Sequence, residues 1–366
     1  MLIQVLCVIG YRSVRHVYLP VQRTNVLVGA NGTGKTNLYR AMFLIHQAAH
    51  GRLAQSLAEE GGMQSVLWAG KRREEAVRLV LAVRFEQFSY HLECGLPAPD
   101  DESMFKLDPE IKEEKIFWYD GGTKSQLLGR KKAAIWARDG EGQRAEYPVT
   151  VSRSESVLAE IREPHRFPEL SMLRQEILQW RFYHHFRTDA DAPIRQAQVG
   201  VRTPVLSHDG RDLAAAIQTI REIGREDVFS QNFQAAFPGS ALLIDSQQRF
   251  SIQMLVPGVL RYLEANELSD GTLQYLCLLA ALLSPRPPTL MAINEPETSI
   301  HPDLLAPLAK LIADASVQSQ LWITTHSAPL ADAICRSSGC TPIQLEKVDG
   351  ETQVQGQSLL ERATTI

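Results

Sequence analysis

The chain has 366 residues, 44% hydrophobic and 22% charged, a balance that excludes a disordered or fibrous chain and suits a packed globular protein. Its formal net charge of −4 gives no whole-molecule attraction to nucleic acid or to an acidic membrane, so any such surface must come from local clustering. Cys7, Cys94, Cys277, Cys335 and Cys340 form an odd set without C-x-x-C spacing, which argues against a disulfide framework and a zinc site and points to a reducing cytoplasm.

Residues 1–9 are apolar but lack a basic leading segment and a small-residue cleavage site, and they read as a first strand. A second β-rich run, 24–28, leads into a glycine-rich loop, after which residues 37–49 carry apolar side chains at helical spacing. Segments 77–85 and 88–95 read as paired strands joined by Glu86-Gln87. From 97 to 132 the chain is polar and uneven, with little periodicity, and reads as a surface insertion. Helices are expected at 154–161, 169–178, 211–224 and 226–237, which makes the middle third a helical lobe.

Strands are expected again at 241–245 and 249–256, followed by a strong helix at 272–283. Short apolar runs at 289–294 and 321–325 flank a helix from about 302 to 315, and strand, helix, strand at that spacing is a parallel α/β unit. The longest later apolar run, 276–283, is far below the ~20 residues of a membrane-spanning helix. No entry into a bilayer is expected.

Four segments carry chemistry. Gly29-Ala30-Asn31-Gly32-Thr33-Gly34-Lys35-Thr36 fits G-x-x-x-x-G-K-[ST] between an apolar strand and an amphipathic helix, the context that pattern requires. Backbone N–H groups of such a loop turn inward around phosphate oxygens, Lys35 can reach the β- and γ-phosphates, and the Thr36 hydroxyl can ligate Mg²⁺. The second segment, Leu290-Met291-Ala292-Ile293-Asn294-Glu295-Pro296-Glu297, is an apolar strand that ends in acidic residues. By itself Glu295 would be an ordinary loop residue, but with a phosphate loop upstream it is placed to position or deprotonate an attacking water.

The third, Leu268-Ser269-Asp270-Gly271-Thr272, opens the strong helix, where Ser269 or Asp270 can cap the first free N–H groups. A capped helix start with a glycine is also an anion-binding site. The fourth, Leu321-Trp322-Ile323-Thr324-Thr325-His326-Ser327, ends the next apolar strand in a histidine.

These segments resemble the Walker A, signature, Walker B and switch-histidine elements of ABC-type ATPase heads of the RecF, SMC and OLD families. Most of all the chain resembles RecF-like bacterial ATPases, through Leu268 to Thr272, Glu295-Pro296-Glu297, His301-Pro302 and Thr324-Thr325-His326-Ser327, and through the opening Gly10-Tyr11-Arg12-Ser13. The resemblance spans nearly the whole chain and is least informative over 97–238. It implies an α/β fold: an ABC-type P-loop ATPase head with a mixed sheet around a phosphate-loop core and an inserted helical lobe. The expected layout is a nucleotide-binding lobe of 1–96 and 241–366, a surface insertion at 97–153 and a helical lobe at 154–240.

Carried over residue by residue, the resemblance assigns Gly29, Asn31, Gly32, Gly34, Lys35 and Thr36 to ATP, Thr36 and Asn294 to Mg²⁺, Glu295 to the water and His326 to the γ-phosphate. It assigns Ser269 and Gly271 to the γ-phosphate of a partner's ATP, which implies a homodimer that sandwiches nucleotide. Two departures stand out. Asn294 replaces the usual Walker B aspartate, keeping an acceptor oxygen without its charge, and Asp270 replaces the first glycine of the LSGGQ signature. No Q-loop residue is evident, with Gln47 and Gln64 the nearest candidates.

Other features weigh less. His184-His185 are chain neighbours whose side chains diverge, which disfavours a shared metal. Lys71-Arg72-Arg73, Arg130-Lys131-Lys132 and the spread of Arg181, Arg187, Arg195 and Arg202 can form either a basic surface for phosphates or an ordinary solvated face. Three outputs of ATP hydrolysis compete: a RecF- or SMC-like role on double-stranded DNA, in repair; control of a separate effector protein in a defence or toxin-type system; and a transporter motor, disfavoured because no membrane segment is seen.

Overall fold

The computed structural model describes residues 1–71, 77–97, 104–146, 151–246 and 249–356. Its contacts divide the chain into a first unit of Met1–Gln22, Gly29–Trp180 and Ile343–Ile366, and a second of Arg23–Val28 and Arg181–Pro342. In chain order the first unit opens with β1 (Ile3–Tyr11) and β2 (Val14–Pro20), and β3 (Thr24–Val28) belongs to the second. The first unit resumes with α1 (Lys35–His50), α2 (Leu53–Glu59), α3 (Met63–Val66), β4 (Leu79–Phe85), β5 (Phe88–Gly95) and β6 (Glu110–Asp120). It continues through β7 (Thr123–Lys131), β8 (Ala134–Arg138), β9 (Arg144–Glu146), α4 (Val157–Glu160) and α5 (Pro168–Leu178).

The second unit then runs through β10 (Arg181–Tyr183), α6 (Leu213–Ile223), α7 (Glu226–Ala236), β11 (Ala241–Asp245), β12 (Ser251–Leu255) and β13 (Leu263–Glu264). It ends with α8 (Asp270–Leu282), β14 (Leu290–Asn294), α9 (Leu305–Ala315), β15 (Gln320–Thr325) and α10 (Ala328–Ser338). A hairpin of β16 (Ile343–Val348) and β17 (Glu351–Val354) returns to the first unit.

In the first unit eight antiparallel strands lie in the order β2-β1-β4-β5-β6-β7-β8-β9. Leu38, Met42, Ile45 and Ala49 recur at helical spacing along the buried side of α1, which packs on β1, β4 and α5. The polar stretch after residue 97 supplies β6 and β7, an extension of the sheet that periodicity does not reveal. Two register shifts, at Glu93/Cys94 and Ile116/Phe117, break the alternation, and one inward position of β6 holds a carboxylate.

That carboxylate, Glu114, is fully buried and accepts hydrogen bonds from Tyr90 Oη at 2.9 Å, the Val157 amide at 3.0 Å and Ser156 Oγ. Burial pushes its pKa up, opposed by the Ser156 and Val157 hydrogen bonds and by the nearby Arg130. Arg130, expected in a surface basic run, is instead 1% exposed and donates to the carbonyls of Lys132, Ser152 and Glu155. Glu114→Ala is expected to cost about 3–5 kcal/mol in denaturant unfolding, because three donors lose their acceptor and the buried Arg130 guanidinium, 3.9 Å away, loses its counter-charge. A loss within about 0.5 kcal/mol would show the network to be dispensable.

The second unit is built on four parallel strands in the order β10-β14-β15-β3, and β14, α9 and β15 form the α/β unit that their spacing implies. Both faces of β14 and β15 are covered, which is why these strands read as unbroken apolar runs. α8 is buried from Leu273 to Leu282, in keeping with its lack of a polar face. α10 packs on α9 and β3. β11, β12 and β13 make a separate antiparallel sheet. Among the described residues no helix is long and apolar enough to cross a membrane.

Candidate active site

Each unit carries a set of the residues singled out above. In the first, the glycine loop follows directly on β3 in the chain and ends in α1, whose first turn has no side-chain cap. The start of this 16-residue helix is the positive end of its dipole, which favours an anion. Gly34 has φ 103, a conformation open to glycine, and a Cβ there would lie 2.1 Å from Thr352 Oγ1. Thr352, on β17, meets Ser13 Oγ at 2.7 Å, and Asn37 Nδ2 donates to the same Ser13 oxygen at 2.8 Å.

Lys35 Nζ donates to the Gly29 carbonyl at 2.6 Å and the Ala30 carbonyl at 3.1 Å, so the buried ammonium lies inside the curl of its own loop. Thr36 is half-buried at the helix start, and Asn31 and Gly32 are exposed on the crest. From the opening segment it is Ser13 that reaches the first turn of α1, through Asn37. Tyr11 and Arg12 both turn to Glu60, at 2.6 Å each.

In the second unit β14 and β15 run side by side and deliver their ends together. Asn294 Oδ1 accepts from Thr324 Oγ1 at 2.8 Å, which leaves its second lone pair available. Glu295 has φ 48 and is pinned by its amide to the Thr324 carbonyl at 2.8 Å. A non-glycine residue in this left-handed region costs of order 1 kcal/mol, and such strain concentrates at functional sites. Its carboxylate is partly exposed, 3.8 Å from His326 Nδ1.

Glu297 organises the turn: its Oε1 accepts from Thr325 Oγ1 at 2.5 Å, the His326 amide at 3.0 Å and the Ser327 amide at 3.2 Å, and lies 3.2 Å from His326 Nδ1. Its other oxygen is buried with no hydrogen-bond partner among the described residues. The strands thus bring Asn294, Glu295, Glu297 and His326 into one cluster. A partly exposed carboxylate on a fixed backbone, backed by a buried one that holds the histidine loop, can take a proton from a water.

Ser269 caps α8, its Oγ accepting from the Thr272 amide at 3.1 Å. A Cβ on Gly271 would lie 2.4 Å from the Ser299 carbonyl, so glycine lets the signature helix approach the loop that follows Glu297. Gln47 lies in α1 and Gln64 in α3. His184 and His185 are both exposed.

Residues 147–332, just over half of the chain, match the family described as "AAA domain, putative AbiEii toxin, Type IV TA system". The chain belongs to this family. The family stretch contains the signature, the acidic strand end and the histidine, and the phosphate loop precedes it. No curated protein matches the sequence. Among solved structures, an Smc head bound to the C-winged helix domain of ScpA aligns over 99% of both chains at 17% identity and TM-score 0.57. The Smc head with an extended coiled coil from Pyrococcus furiosus, bound to the C-terminal domain of ScpA, aligns over 98% of this chain and 97% of its own, at 16% identity and TM-score 0.52. That from Pyrococcus yayanosii, with a coiled coil and joint, aligns over 98% of both at 13% identity and TM-score 0.51. The fold is that of an ABC-type P-loop ATPase head, and this family member is a nucleotide-binding ATPase.

Several side chains expected to make a basic surface are already engaged. Arg187 pairs with Asp189, Arg202 with Glu222 and Arg195 with Asp270, and Arg130 is buried. Arg72 and Arg73 lie outside the described residues.

Proposed function

We propose that the chain hydrolyses ATP to ADP and phosphate with Mg²⁺, as an ATP-dependent homodimer in the cytoplasm, and that hydrolysis controls a separate effector protein. The observation that supports the chemistry best is Glu295, held in a costly backbone conformation by Thr324 with its carboxylate left accessible. In this reading Lys35 and the N–H groups of Gly29, Asn31, Gly32 and Gly34 take the phosphates, Glu295 accepts the proton of the attacking water, and His326 holds the γ-phosphate.

The chemistry a bound Mg²⁺ would supply is to offset the charge of the phosphates. Thr36, at the start of α1, and the free lone pair of Asn294 suit such a cation, Asn294 acting through a bound water. Ser269 and Gly271 serve the partner's nucleotide.

Two observations support an effector over DNA: the description of the family as a toxin of a toxin–antitoxin system, and the pairing of the arginines that a DNA surface would need. The rival reading, a DNA-coupled ATPase, draws on the exposed Lys131 and Lys132. ATPase rates with and without duplex DNA at low salt, beside purification of the chain with its genomic neighbours, separate the two. A co-eluting protein and a rate indifferent to DNA support the effector. A rate raised by DNA, with binding that falls steeply as salt rises, would replace it with the DNA role.

A further inference from the structure

Arg195 has one of the densest sets of hydrogen bonds in the second unit. Its Nε donates to the Thr188 carbonyl at 2.8 Å, and its Nη1 to the carbonyls of Leu268 at 2.8 Å, Ala265 at 3.0 Å and Asn266 at 3.3 Å. Its Nη2 donates to Asp270 Oδ1 at 2.6 Å. The arginine side chain is 9% exposed and the aspartate 58%. A buried cation therefore grips the backbone just ahead of Ser269 and holds the carboxylate just after it.

That carboxylate is an electrostatic problem for the signature. Ser269 and the first N–H groups of α8 form a positive end suited to phosphate, and Asp270, in the first turn, brings a negative charge to the same place. An exposed aspartate there would repel an incoming γ-phosphate. The Arg195 guanidinium cancels that charge from the protein side and leaves the solvent side of the turn to the ligand.

A planar fork with donors on three nitrogens can do this while fixing the turn's shape, whereas the point charge of a lysine cannot. We propose that Arg195 is a positioning residue for ATP hydrolysis, which neutralises Asp270 and sets the Leu268–Asp270 turn so that Ser269 and Gly271 can accept a partner's γ-phosphate. The inference rests on the dimer reading above and adds to it the residue that makes an aspartate tolerable in the signature.

The test is a charge rescue. Arg195→Gln should lower kcat by about 10- to 100-fold with a smaller change in equilibrium ATP affinity, since the misplaced element acts on the partner's nucleotide. Adding Asp270→Asn should recover about tenfold, because the charge that needed cancelling is gone. A double variant as slow as Arg195→Gln, or an Arg195→Gln chain at the wild-type rate, overturns the proposal.

Thermal melting of each variant identifies one that fails to fold. If Arg195→Gln does not fold, Asp270→Asn decides: removing the carboxylate should raise turnover at sub-saturating ATP, and a loss instead overturns the neutralising role. Ser269→Arg keeps the underlying reading separate. If it hydrolyses ATP at the wild-type rate, the dimer reading has failed, and if it is inactive while Arg195→Gln is not, only the Arg195 inference has failed.

Discussion

Lys35→Ala is expected to abolish measurable ATP turnover, a fall of about 10²–10³-fold or more, while the protein stays folded. The lysine ammonium donates to two carbonyls of its own loop, so its loss removes little from the core. Charge is what the reaction would miss: phosphoryl transfer leaves a protein little to do beyond positioning phosphates and stabilising their oxygens, and one ammonium is a large share of that. Steady-state phosphate release beside circular dichroism checks both halves. A folded Lys35→Ala chain that turns over at the wild-type rate would remove the glycine loop from the chemistry.

The second large effect concerns Glu295. Glu295→Gln preserves size and the backbone hydrogen bond to Thr324 but removes the proton acceptor, and turnover should fall by about 10²–10⁴-fold with ATP binding retained. With hydrolysis stalled, the ATP-bound dimer should accumulate in sedimentation or light scattering. Ser269→Arg on that background should return the chain to monomer, since the bulk and charge would sit where a partner's phosphate belongs. Monomer throughout, with ATP and with every variant, would refute the composite site and leave hydrolysis to the single chain.

Much of this was legible before the structure, because the informative segments obey strong local rules. The phosphate loop needs glycines at set positions between a strand and a helix, and the buried parallel strands β14 and β15 must be apolar along their whole length. β2, β8 and β9 passed unread, and β6 with β7 looked like an insertion, since charged residues such as Glu114 and Arg130 occupy inward positions that alternation assigns to apolar ones.

At the site, Glu295 and His326 could be named as strand-end residues. The work of Glu297 could not, because it depends on three donors from Thr325, His326 and Ser327 that converge only when β14 lies beside β15. Arg195 was misread for the same reason. A single arginine within a basic scatter carries no local mark of the carbonyls, at 265, 266 and 268, on which it closes.

The contact between Gly34 and Thr352 bears on when this protein becomes competent during its own synthesis. The loop leaves the ribosome long before β17, the strand that seats it through Thr352 and Ser13. A nascent chain folds from its amino end. Here the phosphate loop emerges early and waits, its seat unfinished, until β17 arrives. A chain cut short before that strand would keep every residue of the nucleotide pattern and still lack the surface that shapes it.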